Sequence, residues 1–386
     1  MQNVTAAGLG IGDDHPPRIM GVLNVSEESP YDPSVYDDPG EAAEYVDSEL
    51  VSEGADIVDV GLESANKRFE VLSAEQELDR LDTAVEAIES VSGDAIFSIE
   101  TRYAEVADEA LSRGFDMVND ICGFADSEMP EVCAAHDAAV VKMASPPDLN
   151  RPGAIEEVDD IYAALERGGL TDKTIVDPAF GGWSEAKTLE DDRETFRRLR
   201  EFRGLGQPIL VSINRKNFLR DLAGRSTEEA LPVSLAATAM AVERGAHVIR
   251  THDVAETADA AEIGSAFARD RVRSDDLGVE ELDVTTTGEA ARHLARLGAD
   301  ETAADEATAR VFELSGLSER ERETFRAVAT DAGVVFAPGD SGSLLAGSPA
   351  ALARLRTLVA ENRNASGAES VDFERLEAIL DAVGGR

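Results

Sequence analysis

Between Arg18 and about Arg269, short apolar runs alternate with amphipathic stretches of helical period. The runs occupy residues 18–25, 56–64, 95–101, 117–123, 138–145, 174–181, 208–214 and 247–254. They lack the polar alternation of a half-exposed antiparallel strand and predict strands buried on both faces. Helical segments are predicted between them, at residues 40–52, 74–91, 104–113, 155–167, 189–202 and 227–244. Gly54, Gly114, Gly168 and Gly245 stand where these helices should stop, the place for a left-handed cap. Eight strand–helix units in roughly 250 residues predict an α/β fold of the (β/α)8 TIM-barrel type spanning residues 18–269, with a doubly wound open sheet as the alternative.

Outside this stretch the pattern changes. Residues 1–17 carry the glycine-spaced Gly8-Leu9-Gly10-Ile11-Gly12 and read as a flexible N-terminus. Residues 270–276 read as a charged linker, and residues 277–386 as a small C-terminal α/β domain of unknown role. Its helices are expected at 288–297, 318–331 and 349–360 and its strands at 309–314, 333–337 and 343–346. It shows no chemical motif: Asp340 to Ser343 reads as a turn and His293 as an exposed helical residue.

The charge narrows the classes of function. The 386 residues hold 36 Lys and Arg against 78 Asp and Glu, a net charge of −42. Such a field repels nucleic-acid backbones and anionic bilayers, so neither is expected as a partner. Only five of the basic residues are lysines, and excess carboxylate on well-patterned sequence suggests adaptation to concentrated salt, where screening suppresses self-repulsion. No apolar run nears the roughly 18 residues of a membrane span, and no basic leader precedes an apolar stretch, so a cytoplasmic protein is expected. Cys122 and Cys133 are too few for a disulfide framework and read as core.

In a barrel of this type the active site forms at the C-terminal ends of the strands. Those ends carry Asn24, Glu63 with Ser64, Glu100, Asn119, Lys142, Asp177, Lys216, and Arg250 with His252. Asn119, Asp177 and Glu100 are acceptors suited to a flat heterocycle with several N–H donors, and Lys216 can donate to its carbonyl. Asn24, Arg250 and His252 suit a phosphate or diphosphate, and a Mg²⁺ carried in by a diphosphate would meet Asn24. No spacing of His, Asp and Glu resembles an all-protein metal cage.

In that order these residues resemble dihydropteroate synthase, a pterin-binding barrel family. The resemblance rests on Met20 to Val25, Asp59-Val60-Gly61 with Glu63-Ser64, Ser98 to Thr101, Val118 to Ile121, Val176-Asp177-Pro178, Arg215-Lys216 and Arg250 to Val254. It implies that Glu100, where the family has aspartate, with Asn119, Asp177 and Lys216, holds the pterin. Asn24, Arg250 and His252 would hold the diphosphate, Asn24 its Mg²⁺, and Lys216, Arg250 and His252 would carry the catalysis. The family joins a dihydropterin-methyl diphosphate to 4-aminobenzoate and expels pyrophosphate, and a homodimer is expected. Ser64-Ala65-Asn66-Lys67-Arg68 replaces the usual Ser-Thr-Arg-Pro-Gly loop, Asn214 the serine of Ser-Arg-Lys, and Ala179 a glycine. Ser64, Lys67 and Asn214 are therefore the candidates for the arylamine, or for a related amine. The other readings are a pterin-dependent methyltransferase acting on a corrinoid protein and a non-catalytic pterin-binding paralogue.

Overall fold

The computed structural model describes residues 1–25, 34–36, 38–63, 71–181, 184, 186–274, 276–366 and 373–384. They divide into two compact units, Met1–Glu280 and Glu281–Arg386. The first begins with an antiparallel hairpin of β1 (Val4–Ala6) and β2 (Leu9–Ile11), turned at Ala7 and Gly8. Eight parallel strands follow: β3 (Arg18–Asn24), β4 (Ile57–Gly61), β5 (Ile96–Thr101), β6 (Met117–Asp120), β7 (Ala139–Met143), β8 (Thr174–Asp177), β9 (Leu210–Val211) and β10 (Val248–Thr251). Their order is β8-β7-β6-β5-β4-β3-β10-β9, and a parallel bridge between Val176 and Ile209 closes the ring. This is the TIM barrel expected from the alternation, and the open sheet is excluded.

Helices α1 (Pro39–Tyr45), α2 (Ala74–Ser90), α3 (Ala104–Ser112), α4 (Met129–Ala135), α5 (Val158–Glu166), α6 (Leu189–Arg197), α7 (Asn217–Ala223), α8 (Leu231–Glu243) and α9 (Val254–Ala266) separate or follow the strands. Local chemistry starts several of them. Ser73 and Gln76 form a reciprocal capping box at α2, as do Thr188 and Asp191 at α6. Helices α4, α7 and α9 belong to the expected strand–helix units but lie outside the six segments that the pattern outlines. The first two have seven residues each, about two turns, too brief to show a period.

Two apolar layers hold the barrel. Ile19, Leu23, Val58, Val60, Ile99 and Val118 face the helices. Met20, Ile57, Met117, Val141, Ile175, Leu210 and Val248 fill the interior, and Val4, Ala6 and Ile11 of the hairpin belong to that same cluster. Residues 1–17 are therefore structured: the hairpin plugs the N-terminal mouth and removes those strand ends from water. Asp13 fastens the plug. It accepts from Arg203 Nη2 at 2.8 Å, pairs with Arg271 at 3.1 Å and meets His247 Nε2 at 3.0 Å. The expected linker is part of this clasp, because β11 (Arg273–Ser274) pairs with β12 (Val279–Glu280) and Arg273 also binds Asp14.

In the second unit β13 (Arg310–Leu314), β14 (Val335–Pro338) and β15 (Ser343–Gly347) form an antiparallel sheet in the order β13-β15-β14. With α10 (Thr287–Arg296), α11 (Glu319–Ala332), α12 (Pro349–Ser366) and α13 (Phe373–Gly384) it makes an α/β unit whose core includes Phe325, Leu345, Leu355, Val359 and Leu376. His293 is buried here, not exposed. Among the described residues no helix is long and apolar enough to cross a membrane.

Candidate active site at the C-terminal rim

Parallel strands in register bring their C-terminal residues to one rim, and there the polar side chains converge. Arg250, on β10, is the hub. Its Nε donates to Asp59 Oδ2 and its Nη2 to Glu100 Oε2, both at 2.7 Å. Asn119 Nδ2 donates to the same Asp59 oxygen at 2.9 Å. The guanidinium thus ties β10 to β4 and β5, and Asp59 extends the tie to β6. Burial raises the Glu100 carboxyl above its ordinary range, with the Arg250 charge opposing it.

Asn24 ends β3 beside this group. Its Nδ2 donates to Ser34 Oγ at 2.8 Å. Its Oδ1 lies 3.2 Å from the point a Cβ on Gly61 would occupy, and Glu100 Oε1 lies 3.9 Å from it. The bare glycine therefore leaves a space flanked by these two side-chain oxygens and by the Glu63 carbonyl at 3.7 Å, hard oxygens of the donor type a Mg²⁺ takes. Among the described residues no cluster of three His, Cys, Asp or Glu is assembled for a metal.

Across the rim, Asp177 Oδ1 accepts from the Ala179 amide at 2.8 Å. Burial pushes this carboxyl up to about 6, against the Ala179 N–H and the Lys216 charge. The Lys216 amine is pulled down by burial first and Arg250 second, while Asp177 and Asp192 support its charge. Gly181 has φ +120°, and a Cβ there would sit 3.1 Å from Lys216 Nζ, so both backbone and packing require glycine. Lys187 braces the loop by donating to Ala179 O at 2.8 Å and pairing with Asp192 at 3.2 Å. His252 is held neutral, its imidazole lowered to about 3 by burial and then by Arg250.

Other expected residues sit differently. The amide nitrogen of Asn214 is engaged with Asp253 Oδ2 at 2.8 Å, and its Oδ1 is buried without a partner. Asp253 is also gripped by Arg215 through Nε at 2.9 Å and Nη2 at 2.7 Å. Asn214 thus braces an ion pair. Lys142 is buried below the rim, donating to Arg167 O and Gly169 O. Ser64 and Lys67 lie outside the described residues. Asp59, which ties Arg250 to Asn119, enters the sequence pattern only as part of the motif Asp59-Val60-Gly61. Its signal was a carboxylate inside the otherwise apolar, fully buried strand β4.

Ala179 occupies φ +60°, left-handed backbone that costs a non-glycine residue roughly 1–2 kcal/mol. Ala179→Gly is expected to relieve that strain, offset by the greater freedom of glycine in the unfolded chain. The net gain, about 0.5–1 kcal/mol, is measurable as a raised midpoint in denaturant titration. A lowered midpoint would show the strain is absent.

A model of the family described as "Pterin binding enzyme" matches residues 20–252, more than half of the chain and the strand ends from Asn24 to His252. Among individual proteins, the chain is 32% identical over 255 residues to the dihydropteroate synthase of Bacillus subtilis, covering 64% of this chain and 88% of that one. It is 35% identical over 260 residues to a probable bifunctional folylpolyglutamate synthase/dihydropteroate synthase of Halobacterium salinarum. That match takes in 64% of this chain but only 31% of the longer relative. The crystal structure of the Thermus thermophilus dihydropteroate synthase in complex with 4-aminobenzoate superposes with a TM-score of 0.55 at 30% identity, over 69% of this chain and all of the other. A closed barrel whose rim gathers acceptors, a half-buried lysine and an arginine hub, matched along those same strands, leads to one assignment: the chain belongs to the pterin-binding enzyme family.

Proposed function

We propose that the barrel is a dihydropteroate synthase, a transferase that condenses a dihydropterin-methyl diphosphate with 4-aminobenzoate or a related arylamine in folate biosynthesis. The observation that carries this reading is the juxtaposition, on one rim, of heterocycle acceptors with a cationic group. Asn119 Oδ1 and the Asp177 carboxylate accept from the pterin N–H edge, and Lys216 donates to its carbonyl. Glu100 stands beside them but is committed through Oε2 to Arg250. Asn24, His252 and Arg250 face the diphosphate.

In the reaction the lone pair of the aryl amine attacks the exocyclic methylene carbon. The carbon–nitrogen bond forms, the carbon–oxygen bond breaks, and pyrophosphate leaves with the bonding pair. The nitrogen then releases a proton to solvent. An arylamine is already neutral near pH 7, so little base catalysis is required, and the barrier lies in the departure of the leaving group. Fixed charge beside the departing oxygens lowers it without reorganisation. A Mg²⁺ bound with the diphosphate would neutralise part of that charge, with Asn24 Oδ1 as the protein donor that fits it.

The reading predicts a pH dependence. Asp177 must be ionised to accept from the pterin, and its carboxyl lies near 6. Activity falls on the acid side as protonation of Asp177 removes the acceptor. Pyrophosphate release, followed from pH 5 to 9 in molar KCl with Mg²⁺, is expected to require 4-aminobenzoate and to lose kcat/KM below about pH 6. Release independent of the amine would contradict the proposal. A profile still flat at pH 5 would remove Asp177 from the binding set.

A further inference from the structure

We infer that Asp59 is a positioning residue that couples the pterin side of the rim to its anion side, an inference that rests on the function just proposed. Asp59 is fully buried on β4. A single oxygen, Oδ2, accepts both from Asn119 Nδ2 at 2.9 Å and from Arg250 Nε at 2.7 Å. Its other oxygen has no hydrogen-bond partner. Two consequences follow from the chemistry of a carboxylate.

The first concerns the Asn119 amide. An ionised carboxylate can only accept, so it fixes the Asn119 nitrogen towards β4 and leaves Asn119 Oδ1 to face a ligand. Without that acceptor the amide is free to turn, and the site then offers a donor where a pterin also presents a donor. The second concerns Arg250. Its charge is shared between Asp59 and Glu100, two carboxylates for one guanidinium. Its attraction for a diphosphate is therefore restrained while its direction is fixed. A site built this way holds the substrate by the ring and does not retain the pyrophosphate it must release.

Two variants separate these effects. Asp59→Asn can keep a carbonyl oxygen in the place of Oδ2, with its nitrogen in the place of the unpartnered oxygen; Ser98, the in-register neighbour on β5, also has an Oγ without a hydrogen-bond partner. The substitution preserves the acceptor and removes the charge. Asp59→Ala removes both. The measurement is binding of 6-hydroxymethyl-7,8-dihydropterin and, separately, of inorganic pyrophosphate with Mg²⁺, by titration calorimetry on the full chain in molar KCl. Asp59→Asn is expected to bind the pterin within about 3-fold of the parent and pyrophosphate about 5- to 10-fold more tightly, because one competing charge has gone. Asp59→Ala is expected to lose about 10- to 100-fold in pterin affinity, the scale of a hydrogen bond to a charged group.

Equal weakening of both ligands in Asp59→Asn would reduce Asp59 to a structural residue and overturn the inference. Unchanged pyrophosphate affinity in that variant would do the same. Should Asp59→Ala fail to fold, the opposite movement of the two affinities in Asp59→Asn still decides the matter. A parent protein that binds no dihydropterin defeats the function proposed above, whereas a parent that binds it and variants that do not differ from it defeat only the role of Asp59.

Discussion

Replacing Lys216 with alanine is expected to lower kcat/KM for the pterin diphosphate about 10²- to 10³-fold, the usual loss when a preorganised donor is removed from a water-poor site. The half-buried amine is acted on by Asp177 and Asp192, which favour its charge, and by Arg250 and Lys187, which oppose it. Without it Asp177 loses a neighbour that keeps its carboxyl ionised, so the pterin loses a donor contact and an acceptor together. The acid limb of the pH profile should therefore move upward in the variant. Arginine should not rescue it, because a planar guanidinium is bulkier than the ammonium, which already lies 3.1 Å from the point a Cβ on Gly181 would occupy. Steady-state kinetics, with circular dichroism to verify folding, decide the point. Activity within 10-fold of the parent would place Lys216 outside the site.

The second large effect lies at the opposite end of the barrel. Asp13→Ala is expected to destabilise the first unit by about 3–5 kcal/mol, since it strands the buried Arg203 and leaves His247 without its carboxylate. For a barrel of this length that corresponds to a fall of about 10 °C in melting temperature. The sign with pH follows from the same contacts. Burial raises the Asp13 carboxyl, but His247, Arg203 and Arg271 together outweigh it and hold it far below its ordinary value. Its contribution is present above the unfolded value of 3.8 and is lost as the pH falls below it. His247 adds in the same direction. Its Nδ1 accepts from the Ile209 amide at 3.0 Å, so the neutral ring is the form that fits, and burial lowers its affinity for a proton. An unfolded chain takes up that proton below about 6.5 while the folded one resists, so stability declines with acidification.

Salt separates this clasp from the surface. Raising KCl should stabilise parent and variant alike by screening the net charge of −42, while the gap between them persists because Asp13 and Arg203 are 8% and 4% exposed and poorly screened. A gap that closed in molar KCl would mean that the clasp is only a surface ion pair.

The barrel was legible because strands covered on both faces leave continuous apolar runs, and because glycines mark the helix ends. The rim was legible because a polar residue at the end of such a run has few structural reasons to be there. Glu100, Asn119 and Asp177 stand out in this way. What the sequence concealed depends on distance along the chain. Asp59 meets Arg250 across 191 residues, and nothing local to either announces the other. The hairpin was hidden differently. Each of its strands has only three residues, too few to establish an alternation, and its glycines read as flexibility although Gly8, at φ +93°, makes the turn. Asn214 shows the limit of reading a motif by position: a residue at the expected place spends its amide on Asp253.

The account stands most directly on a single-turnover experiment. Purified protein in molar KCl with Mg²⁺ is mixed with a substoichiometric dihydropterin-methyl diphosphate and excess 4-aminobenzoate, and pyrophosphate and the coupled pterin–arylamine product are quantified in the same samples. The account predicts that the two appear together, one for one, and that neither appears without the amine. Tight binding of the pterin diphosphate with no pyrophosphate released, or release with no carbon–nitrogen product, would contradict it.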